Sequence, residues 1–258
     1  MKWSRFLAAA IGFLGLTCAS VSFAQTTTDD SDSDEMAEAR ETLRQEHGGG
    51  TTSMFLGERF EYRFGDDERY LWDLQGWTGG DLSRLWIKTE GEYGSDSEQF
   101  ESAEIQALYS RAISRYFDLQ AGVRHDFEPS PSRSHLVLGV QGLAPYWFEL
   151  DTALFLSEDG DLSARLEAEY EILLTQRLIA QPRAELEFAV QDVPELGVGS
   201  GLSTVELDLR LRYEIRREFA PYVGLSWEGL VGATSDFARA AGEATNSLSV
   251  VIGLRFWY

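Results

Sequence analysis

The chain has 258 residues, 43% of them hydrophobic, which is enough for one medium barrel or for one to two ordinary domains. Its formal net charge of −21 excludes the basic surface that nucleic-acid binding requires, so we expect no nucleic-acid partner. Beyond the N-terminal segment, no stretch reaches about 18 consecutive apolar residues, which excludes a transmembrane helix.

The N-terminal segment has the pattern of a secretory signal peptide. Lys2 and Arg5 precede an apolar run over residues 6–16, and a cleavage site of small residues follows. We therefore predict that residues 1–24 are a signal peptide. The chain's one cysteine, Cys18, lies inside this segment, so the mature chain is expected to have no disulfide and no thiolate metal site.

Residues 25–54 are acidic and contain three consecutive glycines at 48–50, with too few apolar side chains to offset the entropy of ordering. We interpret them as a disordered acidic tail. A short helix around residues 35–46 is an alternative, since Ala, Glu, Leu and Arg dominate there. We also predict that the tail folds back toward arginines that point into the barrel. These arginines are Arg59, Arg63, Arg210 and Arg255.

From Glu58 onward, apolar residues recur at every second position, as in residues 162–173 and 205–213. A strand places such residues on one face and the intervening charges on the other, whereas a helix would scatter both. We predict an all-β fold over residues 55–258: a transmembrane, antiparallel, up-and-down β-barrel of about twelve strands, with ten as the alternative. The predicted strands are roughly 59–64, 69–77, 83–93, 100–113, 117–127, 134–142, 146–156, 161–173, 177–190, 202–214, 219–229 and 246–258. A soluble sandwich is the competing fold, but its strands are normally shorter.

The predicted connections alternate between tight turns, such as 114–116 and 174–176, and longer loops, such as 191–201 and 230–245. Outer-membrane barrels have short periplasmic turns and longer extracellular loops, so both termini are expected in the periplasm. The last strand alternates apolar residues and ends on Tyr258, which resembles the signal read by the outer-membrane assembly machinery. We therefore expect contacts with that machinery and with outer-membrane lipid.

The inward faces of the predicted strands carry charges of both signs. A tight hairpin across 174–176 places Glu167 opposite Arg183 and Arg165 opposite Glu185. One interpretation is an ion-pair network that fills a narrow barrel, and the other is an interior that attracts cations. In the second case the candidate metal ligands are Glu149, Asp151, Glu167, Glu169, Glu185, Glu187 and His135.

Two histidines, His125 and His135, flank a predicted loop over residues 128–133. Imidazole suits copper and zinc, and Asp126 lies nearby in the sequence, so a weak metal site is one interpretation. Strand parity, however, places His125 on the outward face and His135 on the inward face. That arrangement favours polar residues at the membrane interface.

Six blocks resemble the copper-resistance protein B family in order and spacing. They are Asp73–Trp77, Leu119–Arg124, Gly139–Tyr146, Arg165–Tyr170, Leu174–Leu178 and Leu211–Tyr222. The resemblance covers about residues 55–258 and implies an outer-membrane protein that binds or transports copper ions, beside a periplasmic multicopper oxidase. The Met- and His-rich extension common in the family is missing, because the region before the barrel offers only Met36, His47 and Met54.

Two functions follow as hypotheses. The first is copper resistance through binding copper or mediating its passage across the outer membrane. The alternative is a general small-solute or ion channel without metal specificity. An enzyme is not expected, because no serine is convincingly placed beside His125 or His135 and no cofactor motif occurs in the sequence.

Overall fold

A computed structural model shows the architecture of the protein. It describes residues 36–39, 42, 50–65, 68–95 and 97–258. The chain divides into two units, Met1–Glu46 and His47–Tyr258. In the first unit residues 36–39 are α-helical, and the Thr42 hydroxyl donates to the Glu38 carbonyl over 2.9 Å, as in a helical turn. The predicted signal peptide and most of the predicted tail lie outside the described residues.

The second unit is one closed antiparallel sheet of twelve barrel strands, because β1 pairs with both β2 and β13. Its segments in chain order are β1 (Thr52–Phe64), β2 (Arg69–Gly79), β3 (Ser83–Gly94), β4 (Gln99–Ala112), β5 (Phe117–Glu128), β6 (Arg133–Ala144), β7 (Phe148–Ser157), β8 (Leu162–Glu169), β9 (Ile172–Leu173), β10 (Leu178–Ala189), β11 (Gly201–Tyr213), β12 (Phe219–Leu230), α1 (Gly232–Ala241) and β13 (Asn246–Trp257). The prediction of twelve strands is confirmed, with β8 and β9 as two segments of one barrel strand. No helix among the described residues is long and apolar enough to cross a membrane.

Most strands lie within two residues of their predicted bounds, and two depart further, by an earlier start or by an interruption. Strand β1 begins at Thr52 rather than near residue 59, so the last three residues assigned to the tail lie in the barrel. The predicted strand 161–173 is interrupted between β8 and β9. Tyr170 lies there opposite Pro182 and donates its N–H to the Pro182 carbonyl over 3.1 Å. Proline has no N–H to return, so the ladder breaks at this point.

The predicted register of the β8–β10 pair was wrong by two residues. The observed cross-strand partners are Arg183 with Glu169, Glu185 with Glu167, and Glu187 with Arg165. The turn is centred on Gln176, one residue later than predicted, since Leu173 pairs with Ile179. A shift of two residues preserves side-chain parity, so the inward-facing residues remain as predicted.

The two ends of the barrel differ in their connections. We call the end that holds Thr52 and Trp257 the terminal end, and the opposite one the loop end. At the terminal end the connections are residues 80–82, 113–116, 145–147, 174–177 and 214–218. At the loop end they are residues 65–68, 95–98, 129–132, 158–161, 190–200 and 231–245, the last of which contains α1. Both long connections therefore lie at one end, as predicted.

The barrel is apolar outside and charged inside. On β11, Leu209 and Leu211 are exposed, whereas Asp208, Arg210 and Arg212 are buried. The same alternation recurs around the sheet, which is the pattern of a barrel surrounded by hydrocarbon. One apolar cluster interrupts the charged lumen. Its buried members are Trp86, Leu108, Val137 and Phe155.

Candidate functional site in the lumen

An arginine from β8 reaches nearly across the lumen. Arg165 is within 3.2 Å of Glu90 on β3 and 3.3 Å of Glu104 on β4, strands that lie almost opposite β8 in the ring. The same guanidinium lies 3.2 Å from both Glu185 and Glu187 on β10. Ion pairs with four carboxylates hold this side chain at mid-lumen, and those with Glu90, Glu104 and Glu187 are also hydrogen bonds.

Further buried arginines complete this layer from the other side. Arg59 pairs with Asp73 at 3.1 Å and with Glu90, while Arg183 pairs with Glu167 at 2.8 Å and with Glu185. Arg63 and Arg210 extend the layer through ion pairs with Glu206 and Glu61. We call the layer of Arg59, Arg63, Arg165, Arg183 and Arg210 with their carboxylate partners the ion-pair septum. The predicted ion-pair network is therefore present.

The septum lies between two cavities. A terminal-end cavity of about 380 Å³ and a loop-end cavity of about 370 Å³ share only a few wall residues, among them Arg165, Glu90 and Glu104. Because Arg165 lines both cavities, we expect its displacement to help join the two spaces.

The terminal-end cavity is acidic and has few cations. Its carboxylates are Glu58, Asp73, Glu90, Glu104, Glu149, Asp151, Glu167 and Glu169, and its cations are Lys88, Arg165 and Arg255. An excess of carboxylates in a space with apolar walls raises the local concentration of cations.

Two pairs of carboxylates lie directly opposite each other on β7 and β8: Glu149 with Glu169, and Asp151 with Glu167. The second pair is compensated, since Lys88 Nζ lies 2.5 Å from Asp151 and Arg183 pairs with Glu167. Glu169 accepts a hydrogen bond from the Gln181 amide. No ion pair is made by Glu149 or Glu169 within the described residues, so this like-charge pair lacks a direct cation partner.

The loop-end cavity contains the other three predicted ligands, Glu185, Glu187 and His135. His135 Nδ1 lies 3.7 Å from Asp126 Oδ2 and is buried without a hydrogen-bond partner. The imidazole of His125 instead contacts the Ser134 hydroxyl at 3.0 Å on the exposed face of the wall. The predicted opposite parity of the two histidines is confirmed, so they do not face a common metal site.

The predicted ligands therefore fall into two groups rather than one site. Glu149, Asp151, Glu167 and Glu169 line the terminal-end cavity, whereas Glu185, Glu187 and His135 line the loop-end cavity. Glu167, Glu185 and Glu187 are also partners of septum arginines. In the described part of the chain, no three His, Cys, Asp or Glu side chains are arranged to hold a metal ion.

Met54 also lines the terminal-end cavity, although the sequence boundary had assigned it to the tail. The early start of β1 brings this thioether into the barrel, where it pairs across the sheet with Trp77. If the alternation of inward and outward residues along β1 is extended back to Thr52, Met54 falls on the inward face.

The predicted contact between the tail and the inward arginines involves tail residues outside the described part of the chain, and it stays a prediction. The arginines themselves have carboxylate neighbours in the barrel. Arg59, Arg63 and Arg210 belong to the septum, and Arg255 Nε lies 4.0 Å from Glu58.

The loop end is capped by ordered connections. Arg133 pairs with Asp161 at 2.7 Å and with Glu195 at 2.8 Å, joining two loops above the cavity. Helix α1 is tied to the connection 190–200, since the Gly199 N–H donates to the Thr234 hydroxyl over 2.9 Å. In the same connection the Ser200 N–H donates to Asp192 over 2.7 Å, which lowers the pKa of that carboxyl below its ordinary value.

A closed barrel with an apolar outer wall, a charged lumen and long loops at one end defines an outer-membrane β-barrel. A solved structure of the NanC porin has this fold, with a TM-score of 0.52 and 13% identity over 80% of this chain and 99% of that chain. At such low identity the likeness concerns the fold alone.

The chain belongs to the copper resistance protein B family. The family model described as "Copper resistance protein B precursor (CopB)" matches residues 51–258. Copper resistance protein B of Escherichia coli is 43% identical over 213 residues, which is 82% of this chain and 71% of the relative. A homolog from Pseudomonas syringae pv. tomato is 42% identical over 215 residues, or 83% and 72% of the two chains.

Family membership confirms the resemblance seen in the sequence and the outer-membrane location. The family and the fold are those of a copper resistance protein and a porin-like barrel, not of enzymes.

Proposed function

We propose that the protein supports copper resistance by binding copper ions in its lumen and mediating their passage across the outer membrane. The observation that carries the proposal is the opposed Glu149–Glu169 pair in the acidic terminal-end cavity. Like charges directly opposite each other destabilise a sheet, and a divalent cation bound between the two carboxylates removes that repulsion.

The donor types in this cavity suit copper in two oxidation states. Carboxylate oxygens such as those of Glu149, Asp151, Glu167 and Glu169 suit Cu(II) better than Cu(I), because they are hard ligands. The Met54 thioether at the same cavity is a soft ligand for Cu(I). In the proposed route, Glu185, Glu187 and His135 form a second station in the loop-end cavity.

The septum supports a selective function over the alternative of a general small-solute or ion channel. Arg165 contacts carboxylates on three strands and lines both cavities, so we expect it to obstruct the passage of a bulky solute. A metal ion needs only the exchange of one carboxylate partner for the next. The porin-like fold is the observation that keeps the general channel as the second candidate.

The test is equilibrium copper binding to the refolded chain, measured by calorimetry with zinc as the competing metal. Glu149→Gln combined with Glu169→Gln keeps both side-chain shapes and removes both charges. Glu158→Gln, at an exposed position of the loop end, is the matched control.

We expect the double variant to bind copper at least about tenfold more weakly, a loss of roughly 1.4 kcal/mol, while the control binds like the wild type. Absence of copper-selective binding in the wild type, or equal affinity in the double variant and the control, would overturn the proposed site. Conductance unaffected by copper would then favour the general channel.

Two partners belong to the same proposal. The alternation of apolar residues along β13 and the terminal Tyr258 support recognition by the outer-membrane assembly machinery. Family membership supports cooperation with a periplasmic multicopper oxidase. Removing residues 256–258 should lower the amount of folded barrel in cells, seen as loss of the heat-modifiable band on gels. Copper tolerance in a strain without the oxidase tests the second partner.

A further inference from the structure

The exposed cations are distributed unevenly between the two ends. Within the described part of the chain, the arginines and lysines classed as exposed are Arg111, Arg115, Arg177, Arg216, Arg217 and Arg239. All except Arg239 lie at the terminal end, and Arg239 on α1 pairs with Asp236 at 2.6 Å. Other cations of the described residues are partly or fully buried in the wall and lumen, so the exposed ones form a separate feature.

Three of these arginines lie on turns that touch. The Glu214 N–H donates to the Arg177 carbonyl over 2.8 Å, which joins the β9–β10 turn to the β11–β12 turn. The Trp257 indole N–H donates to the Arg217 carbonyl over 2.8 Å, which adds the end of β13. We call Arg177, Arg216 and Arg217 the arginine cluster.

The guanidinium groups of this cluster are accessible. The Arg217 side chain is 73% exposed even though it lies 3.3 Å from Glu214. No ion pair joins Arg177 or Arg216 to a carboxylate among the described residues. Glu218, on the same turn, is an exposed carboxylate for which no ion pair with the cluster is seen among the described residues. The cluster therefore keeps donors free for an anion.

An apolar column of the outer wall leads to the cluster. The outward side chains Leu209, Leu211, Tyr213 and Ile215 follow one another along β11 into its turn, all of them exposed. Arg216 and Arg217 follow Ile215 directly in the chain. They therefore lie one or two residues beyond the end of the apolar column, at a rise of about 3.4 Å per residue. Tyr213 and the partly exposed Trp257 mark the level of a membrane interface, where such rings are favoured.

We propose that the arginine cluster binds the headgroup phosphate of an anionic phospholipid whose acyl chains lie on this column. With the termini in the periplasm, as the sequence predicts, the terminal end meets the inner leaflet of the outer membrane. The guanidinium fork matches phosphate oxygens in bidentate geometry, and arginines near an anionic surface strengthen association. The chain's own acidic tail is the competing occupant.

The experiment uses the full chain purified from outer membranes. The protein is exchanged into detergent micelles that hold equal amounts of phosphatidylglycerol and phosphatidylethanolamine, and native mass spectrometry counts the retained lipids. The test variant carries Arg177→Gln, Arg216→Gln and Arg217→Gln. The matched control is Arg239→Gln at the loop end. A heat-modifiable gel band shows that each variant is folded.

We expect the wild type and the control to retain phosphatidylglycerol in preference to phosphatidylethanolamine. Each arginine near an anionic headgroup is worth roughly fivefold, so the triple variant should lower the preference by at least about tenfold. Equal retention of both lipids by the wild type overturns the proposal, as does an unchanged preference in the triple variant. A preference that appears only after deletion of residues 25–46 assigns the cluster to the acidic tail and also overturns it.

Discussion

The terminal end and the loop end of this barrel belong to the same sheet but differ in their connections and in their exposed charge. At the terminal end short turns join the strands, exposed arginines face outward, and the lumen opens on carboxylates, among them Glu149 and Glu169, which make no ion pair with any residue that the structure describes. At the loop end longer connections are tied together by Arg133 and Thr234, and nearly all exposed charge is acidic. Exposed charge is therefore sorted along the barrel axis, whereas both cavities of the lumen are acidic and the septum forms the boundary between them.

The largest expected effect concerns that boundary. Arg165→Gln removes one cation from four carboxylates and should destabilise the barrel by about 3–5 kcal/mol, because uncompensated charges remain buried. Urea unfolding in lipid vesicles measures the change. Arg239→Gln, which breaks an exposed pair, should cost less than about 1 kcal/mol.

The same variant tests whether the two cavities are separate. Planar-bilayer conductance should rise when Arg165 is shortened, since its guanidinium lines both cavities. Equal conductance in the wild type and in Arg165→Gln would mean that the septum does not limit passage.

A smaller effect is expected at the loop end. Thr234→Val removes the acceptor for the buried Gly199 N–H and should weaken the packing of α1 by about 1–3 kcal/mol. Because the contact joins two loops and no barrel strand, protease cleavage within residues 190–200 should accelerate while global unfolding changes little. Thr245→Val, in the same connection as α1 but without a side-chain hydrogen bond in the described structure, provides the control.

At the terminal end we expect a substitution that increases the stability of the barrel instead of decreasing it. Glu149→Gln with Glu169→Gln removes a like-charge pair and should stabilise the metal-free barrel by roughly 0.2–1 kcal/mol. With copper bound, the wild type should regain the advantage. Unfolding measured with and without copper checks both signs, and a double variant less stable than the wild type without metal would contradict the electrostatic account.

The smallest effect depends on pH. Backbone donation from Ser200 lowers the pKa of Asp192, so its contribution to loop order is present above its ordinary value near 3.8 and is lost as the pH falls through the lowered value. Hydrogen exchange of the Ser200 amide should therefore accelerate only in acid. In Asp192→Asn the exchange should no longer depend on this titration.

Much of the fold was predictable, because every strand of a barrel repeats the same alternation of outward and inward residues. Period-two alternation assigned strands, their inward faces and the parity of His125 and His135, and all of these are local properties of the chain. The predicted ends of the strands were less accurate where the alternation of apolar and polar residues is weak. Met54 was placed in the tail, although it lies on β1 and lines the terminal-end cavity.

The candidate site was predictable in its residue types but not in its grouping. The sequence by itself determined that Glu149, Asp151, Glu167, Glu169, Glu185, Glu187 and His135 point inward. Only the tertiary structure decided their partners. A turn centred one residue later on Gln176 moved Glu169 opposite Arg183 and Glu167 opposite Glu185. Closure of the ring brought Arg165 to Glu90 and Glu104 from distant strands and divided the lumen in two. Parity depends on neighbouring residues, whereas register and closure depend on contacts between strands far apart in the chain.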